Sequence, residues 1–316
     1  MLPAMPAEVL FDPAAAYPET GVVRAAMAAR DWGRVRATVD GLPAAGRTMM
    51  LRIAGEVGNT EDMLRYLVGN DPSDSTAAAT LAWRYIDAGW KIRTGAQAQD
   101  VSPEQFAAFH DWLRRAEAIL IDAVARTPGD PALWTARLTS ARGLEVGQAE
   151  TRRRYDKLVA LEPHHLPAQS QFLQTLCPKW SGSWAELHPW ARGAALAAPE
   201  GAVQGVLVAD AHIEHWSTLP AGDDDRYLRS EPVRAELYEA ANRSVLHPDF
   251  GRDHGWVHAA SSFALVFSLL GDRRAAATAF RVLGDLADEY PWYYLPGDTA
   301  SQVRTRRAEA LGRSAR

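Results

Sequence analysis

The densest concentration of side chains able to do chemistry is the run Asp210-Ala211-His212-Ile213-Glu214-His215-Trp216. Two carboxylates four residues apart share one face of a helix. Beside an apolar stripe such a pair is driven toward the protonation range of acid–base work, unless arginines of a neighbouring helix neutralise it. At about 100° per residue, Asp210 and Glu214 align with Val203, Val206, Leu207 and Ile213, while His212, His215 and Trp216 turn to the other side. The run resembles the zinc-protease motifs H-E-x-x-H and H-x-x-E-H only superficially. Those set two histidines four apart, whereas His212 and His215 are three apart with Glu214 between them. An enzyme built here would draw on Asp210, His212, Glu214 and, further along, His258; a binding protein would use the same groups as a polar wall.

A second run, Asp253-His254-Gly255-Trp256-Val257-His258, does space two histidines by four. On a continuous helix His254, His258 and Ser261 share a face opposite Trp256, Phe263 and Phe267, so the aromatics pack inward and the histidines look outward. Zinc or iron would need a third ligand such as His212 or His215. Without one the pair is a groove wall, and neither a metal nor another cofactor is expected. The third feature is the loop Cys177-Pro178-Lys179-Trp180-Ser181-Gly182-Ser183-Trp184. In one reading Lys179 and the amides at 181–183 hold an anion at a helix start, with Trp180 as a stacking surface. In the other the loop is a turn that Gly182 bends, Ser183 caps and Trp184 packs. Cys177, the single cysteine, reads as a small buried hydrophobe; with no internal disulfide possible, the cytoplasm is the expected compartment.

Six of the nine histidines fall between His188 and His258. This clustering predicts a concave site in the C-terminal half, bordered by His212 and His258, with Lys179, Trp180, His215, Trp216 and His254 as further ligand contacts. Trp134 is a further groove candidate.

The elements that position these groups are helices. Stretches of helical periodicity end in prolines, at Pro128, Pro163, Pro199, Pro248 and Pro291, spaced by 35, 36, 49 and 43 residues. About seven antiparallel helical hairpins follow: 18–41, 46–69, 74–127, 131–161, 164–198, 202–247 and 254–290. No strand pattern competes. Helix starts are signalled at Ser102-Pro103-Glu104-Gln105 and at Ser183-Trp184-Ala185-Glu186, and Asp223-Asp224-Asp225 reads as another. The stretch Thr94–Val101, with Gly95, Gln97 and Gln99, is the one place where a weak subdomain boundary is expected in an otherwise single array spanning 1–316.

Two stretches resemble tetratricopeptide repeats. One runs Ala132-Leu133-Trp134, Leu138, Gly143, Tyr155, Leu158, Leu161 and Pro163. The other has a turn at Gly271-Asp272, Ala276 and Phe280 in the family's A-x3-F spacing, and a closing Pro291. The glycine and tyrosine usual after the tryptophan are replaced by Leu138 and Ala141, so the array is a divergent one. Residues 178–216 also resemble bacterial helical-repeat proteins that carry a P-K-W-G-G-S-type loop, with Ser181 in place of a glycine. These resemblances imply an all-α solenoid and a binding role toward a peptide, a partner protein or a small molecule, and they bring no activity with them.

Composition bounds the alternatives. The 316 residues carry 47% hydrophobic and 23% charged side chains and a formal charge of −5, which points to a packed core and away from nucleic acid. Arginine outnumbers lysine 31 to 3, as in GC-rich bacterial genomes. Met1–Pro6 carries no basic group or long apolar stretch, so no secretory signal is expected. The apolar window Ala259–Leu270 is shorter than the roughly 20 residues that cross a bilayer, so it reads as a buried helix and no membrane partner is expected. The basic tail, Arg304, Arg306, Arg307, Arg313 and Arg316, reads as a solvated end.

Overall fold

A computed structural model describes residues 8–95 and 98–312, and every regular element among them is helical. Contacts divide the chain into two compact units, Tyr17–Gly182 and Met1–Ala16 together with Ser183–Arg316. The stretch expected as a weak boundary, 94–101, falls inside the first unit, and its Gln97 lies outside the described residues, as do Met1–Pro6, Arg313 and Arg316.

The first unit contains α1 (Glu19–Ala28), α2 (Trp32–Val39), α3 (Ala44–Glu56), α4 (Glu61–Asn70), α5 (Ser75–Arg93), α6 (Pro103–Arg126), α7 (Pro131–Gly143), α8 (Gln148–Val159) and α9 (Leu166–Leu176). Its longest helices start where local chemistry dictates. Asp74 accepts from Ala77 N, and Ser102 and Gln105 form the reciprocal capping box that their spacing predicts. Helix α7 is buried on nearly every side, against α3, α5, α6, α8 and α9. Its Arg137 and the nearby Arg154 lie 2.7 and 2.9 Å from Glu117, so a carboxylate shared by two guanidinium groups ties α6, α7 and α8 together. Trp134 is packed rather than presented in a groove: it is 7% exposed, its indole N–H donates to the Pro128 carbonyl, and Arg137 lies over its ring.

The second unit contains α10 (Trp184–Ala197), α11 (Val206–Trp216), α12 (Asp223–Arg229), α13 (Glu231–Asn242), α14 (Trp256–Leu270), α15 (Arg273–Leu283), α16 (Glu289–Trp292) and α17 (Thr299–Ala310). Helix α14 covers the apolar window and is buried, and among the described residues no helix is long and apolar enough to cross a membrane. Gly271 in the left-handed region ends α14, and Asp272 then caps α15 through Ala275 N, which places Ala276 and Phe280 in the core as their spacing requires.

Several expectations are corrected. The hairpin 164–198 is divided between the units: α9 packs on α7 and α8, and α10 packs on α11 and α13. Region 202–247 holds three helices instead of two. Helix α15 stops at Leu283, where Gly284 adopts positive φ, so Pro291 is not its stop. The basic tail is not uniformly solvated, because Arg307 on α17 is 2% exposed.

Candidate functional site

Helix α11 is the centre of the second unit's polar chemistry. From Val206 to Glu214 every residue is buried, including Asp210 at 4%, His212 at 2% and Glu214 at 2% exposure. A buried polar group must find a partner, and the two sides of α11 solve this differently.

On one side, Asp210 accepts from His258 Nε2 at 2.7 Å and from Ser262 Oγ at 2.7 Å, both on α14. The other nitrogen of His258, Nδ1, lies 3.5 Å from Asp288, whose backbone N–H donates to Ser261 Oγ. Burial opposes charge on His258, but the charge and hydrogen bond of Asp210, followed by Asp288, outweigh it and push the imidazole up to about 10. Glu214, one turn on, accepts from Tyr294 Oη at 2.9 Å; Tyr294, Tyr290 and Tyr293 pack edge to face or tilted on one another. The expected arginine partners of Asp210 are therefore replaced by a histidine and a serine. His258 thus faces a carboxylate at each nitrogen, which favours its protonated form, and both oxygens of Asp210 are engaged. This network ties α11, α14 and the segment 288–294 together.

On the opposite side, His212 meets groups from three other helices. Its Nε2 lies 3.2 Å from Glu236 on α13, its Nδ1 lies 2.7 Å from Tyr227 Oη on α12, and its ring stacks on His188 of α10 at 4.6 Å. His188 Nε2 is 3.0 Å from His215 Nδ1 and 3.3 Å from Tyr227 Oη, and Trp184 stacks on His215 at 4.4 Å. The Glu236 carboxylate accepts from His212 Nε2, and His212 Nδ1, Tyr227 Oη, His188 Nε2 and His215 Nδ1 continue from it as one chain of hydrogen-bonding contacts. Burial, and then His212 and His215 alongside, push His188 down to about 3; burial and His212 also lower His215. Glu236 is held below the usual carboxylate range, chiefly by its hydrogen bond from His212. Burial, then the charge of Glu236, raises the Tyr227 phenol. The half-buried rings of Trp184, His188, His215 and Tyr227 thus form a wall that is polar yet uncharged at neutral pH.

The candidate residues fall in three places instead of one. His212 and His215 belong to the aromatic wall, whereas Asp210, Glu214 and His258 belong to the network on the other side of α11. Lys179 and Trp180 belong to the first unit, where with Arg142, Gln148, Thr151 and Thr175 they line a cavity of about 110 Å³. There Arg142 lies 5.4 Å over both Trp180 and Trp90, so the stacking surface of Trp180 serves the protein's own guanidinium. Trp216, at 9% exposure, packs in the core. His254 precedes α14, which starts at Trp256 after Gly255 at φ 103°, so His254 and His258 do not share a helical face; Ser261 is fully buried.

The wall also recruits residues that were not singled out for binding: His188, Tyr227 and Glu236. One sequence signal bears on them. The Ser183 cap sets the phase of α10 and so puts Trp184 and His188 on one face, one turn apart. That cap is present: Glu186 N donates to Ser183 Oγ at 3.3 Å. Ser183→Ala should lower stability by about 1 kcal/mol without loss of fold, as read from urea unfolding. Among the described residues no group of three or more His, Cys, Asp or Glu side chains is arranged to hold a metal ion. The chain matches no family model, no curated protein and no solved structure.

Proposed function

We infer that the chain is a helical-repeat binding protein, a divergent relative of the tetratricopeptide class, and that the wall on α10, α11 and α12 receives an extended segment of a peptide or partner protein. The repeat reading is supported by consecutive helices that pack on one another, α1 with α2, α5 with α6, α7 with α8 and α14 with α15, and by the buried Ala276/Phe280 pair. A cytoplasmic setting accords with the single, buried thiol of Cys177.

The observation that carries the binding reading is the half-buried wall of Trp184, His188, His215 and Tyr227, in which Trp184 stacks on His215 and His188 Nε2 lies 3.0 Å from His215 Nδ1. Each imidazole has a second nitrogen that can pair with a peptide unit, with its N–H or its carbonyl according to the tautomer, and Trp184 offers a face for the adjoining side chain. Because the rings are uncharged at neutral pH, docking requires no ion to be stripped of water.

Selection of a random displayed peptide library on the full chain tests this. The peptides recovered should lose at least about tenfold in affinity against both Trp184→Ala and His215→Ala, with melting temperatures little changed. Peptides that bind these variants and the wild type equally well would remove the assignment.

A further inference from the structure

Arg307, in the last turn of α17, sits where a guanidinium is hardest to keep. Its side chain is 2% exposed, and neither Nε nor Nη2 has a hydrogen-bond acceptor among the described residues. Its neighbour Arg306 likewise has a buried Nε without an acceptor. Asp285 attracts Arg307 through its field, but no ion pair joins them among the described residues. What the ring environment offers is a cation–π contact: the guanidinium carbon lies 5.9 Å from the centroid of Phe280 on α15. Phe280 also stacks on Trp292 at 6.0 Å, and the indole N–H of Trp292 is a further buried donor without an acceptor. A cation–π contact offsets only part of the cost of desolvating a guanidinium.

The orphaned nitrogens of Arg306, Arg307 and Trp292 are all donors. An acceptor is what they lack, and the nearly complete burial of Arg307 favours a small ion over an inserted side chain of a partner. We propose that Arg307 anchors a site in the second unit for a small oxyanion, a carboxylate or a phosphate, held through the planar fork of the guanidinium. A fork fits two oxygens of one anion in a way that an ammonium group does not. The site is separate from the wall on α10–α12 and does not depend on the binding role assigned to it.

Melting of the full chain tests the proposal. In one arm inorganic phosphate, and in the other acetate, is added to about 10 mM over a chloride buffer of matched ionic strength. A saturable rise of about 4 °C or more is expected in at least one arm. A larger rise with phosphate identifies a phosphate site, and a larger rise with acetate a carboxylate site. Arg307→Met should abolish the rise and, in chloride, melt no lower than the wild type, because the unpaired buried charge is gone. Arg307→Lys, which keeps the charge and loses the fork, should need at least about tenfold more anion for the same rise. The proposal is overturned if neither anion acts beyond chloride, or if Arg307→Met keeps the response or melts far lower in chloride. If Arg307→Met does not fold, an undiminished response in Arg307→Lys overturns it.

Discussion

Asp210→Ala is expected to lower the unfolding free energy by about 3–5 kcal/mol, the cost of removing one partner from a buried charged pair. Asp210 is buried and engages His258 Nε2 and Ser262 Oγ, each at 2.7 Å, across the contact between α11 and α14. Its loss leaves a protonated imidazole facing an apolar gap, and a serine hydroxyl without its acceptor. Asp288→Ala is the control. That carboxylate is 39% exposed and lies 3.5 Å from His258 Nδ1, so its removal should cost about 1 kcal/mol or less. Urea unfolding of the two variants decides the matter. Equal and small effects would mean that the network does not tie the two helices together.

The second large effect is a dome of stability against pH, with its two limbs set by different histidines. His188 and His165 are pushed down to about 3 and about 4, chiefly by burial. An unfolded histidine titrates near 6.5. Between those values the unfolded chain binds more protons than the folded one, so stability present above pH 6.5 is lost as the pH falls. Each fully engaged ring contributes a slope of about 1.4 kcal/mol per pH unit. His258 has the opposite sign. Its folded value is pushed up to about 10, so its contribution is complete below pH 6.5 and is lost as the pH rises toward 10. The maximum should therefore lie near pH 6.5. His188→Gln should flatten the acid limb and leave the alkaline limb in place, and Asp210→Asn should do the reverse, as read from urea midpoints between pH 4 and pH 9. An acid limb unchanged in His188→Gln would show that His188 titrates in the folded chain as it does in the unfolded one.

What was legible in the sequence is what local chemistry determines. Ser102 and Ser183 cap helices because a side-chain oxygen three residues before an orphan amide needs no knowledge of the rest of the chain. The burial of Ala276 and Phe280, and of the apolar window that became α14, follows equally from short-range pattern. The partners of α11 were not legible in that way. Asp210 finds His258 at a separation of 48 residues and Glu214 finds Tyr294 at 80, distances over which spacing carries no information. The error at His254 has a local cause: Gly255 at positive φ starts the helix after it, so the four-residue spacing to His258 is not one helical turn. Arg307 was misjudged because a basic tail is ordinarily solvated. Its burial comes from the packing of α17 on α15 and α16, which composition does not report. The prolines misled at Pro248 and Pro291 because glycine and irregular segments end the preceding helices first.

The binding role proposed for the wall on α10, α11 and α12 is tested most directly by the ring ¹H–¹⁵N spectrum of the histidines, recorded at pH 7 with and without a peptide selected on the full chain. The resonances of His188 and His215 should report singly protonated rings in the free protein and should shift on addition of the peptide. Those of His110 and His165, in the first unit, should stay in place. A peptide that binds and moves other resonances while leaving His188 and His215 unchanged would contradict the account.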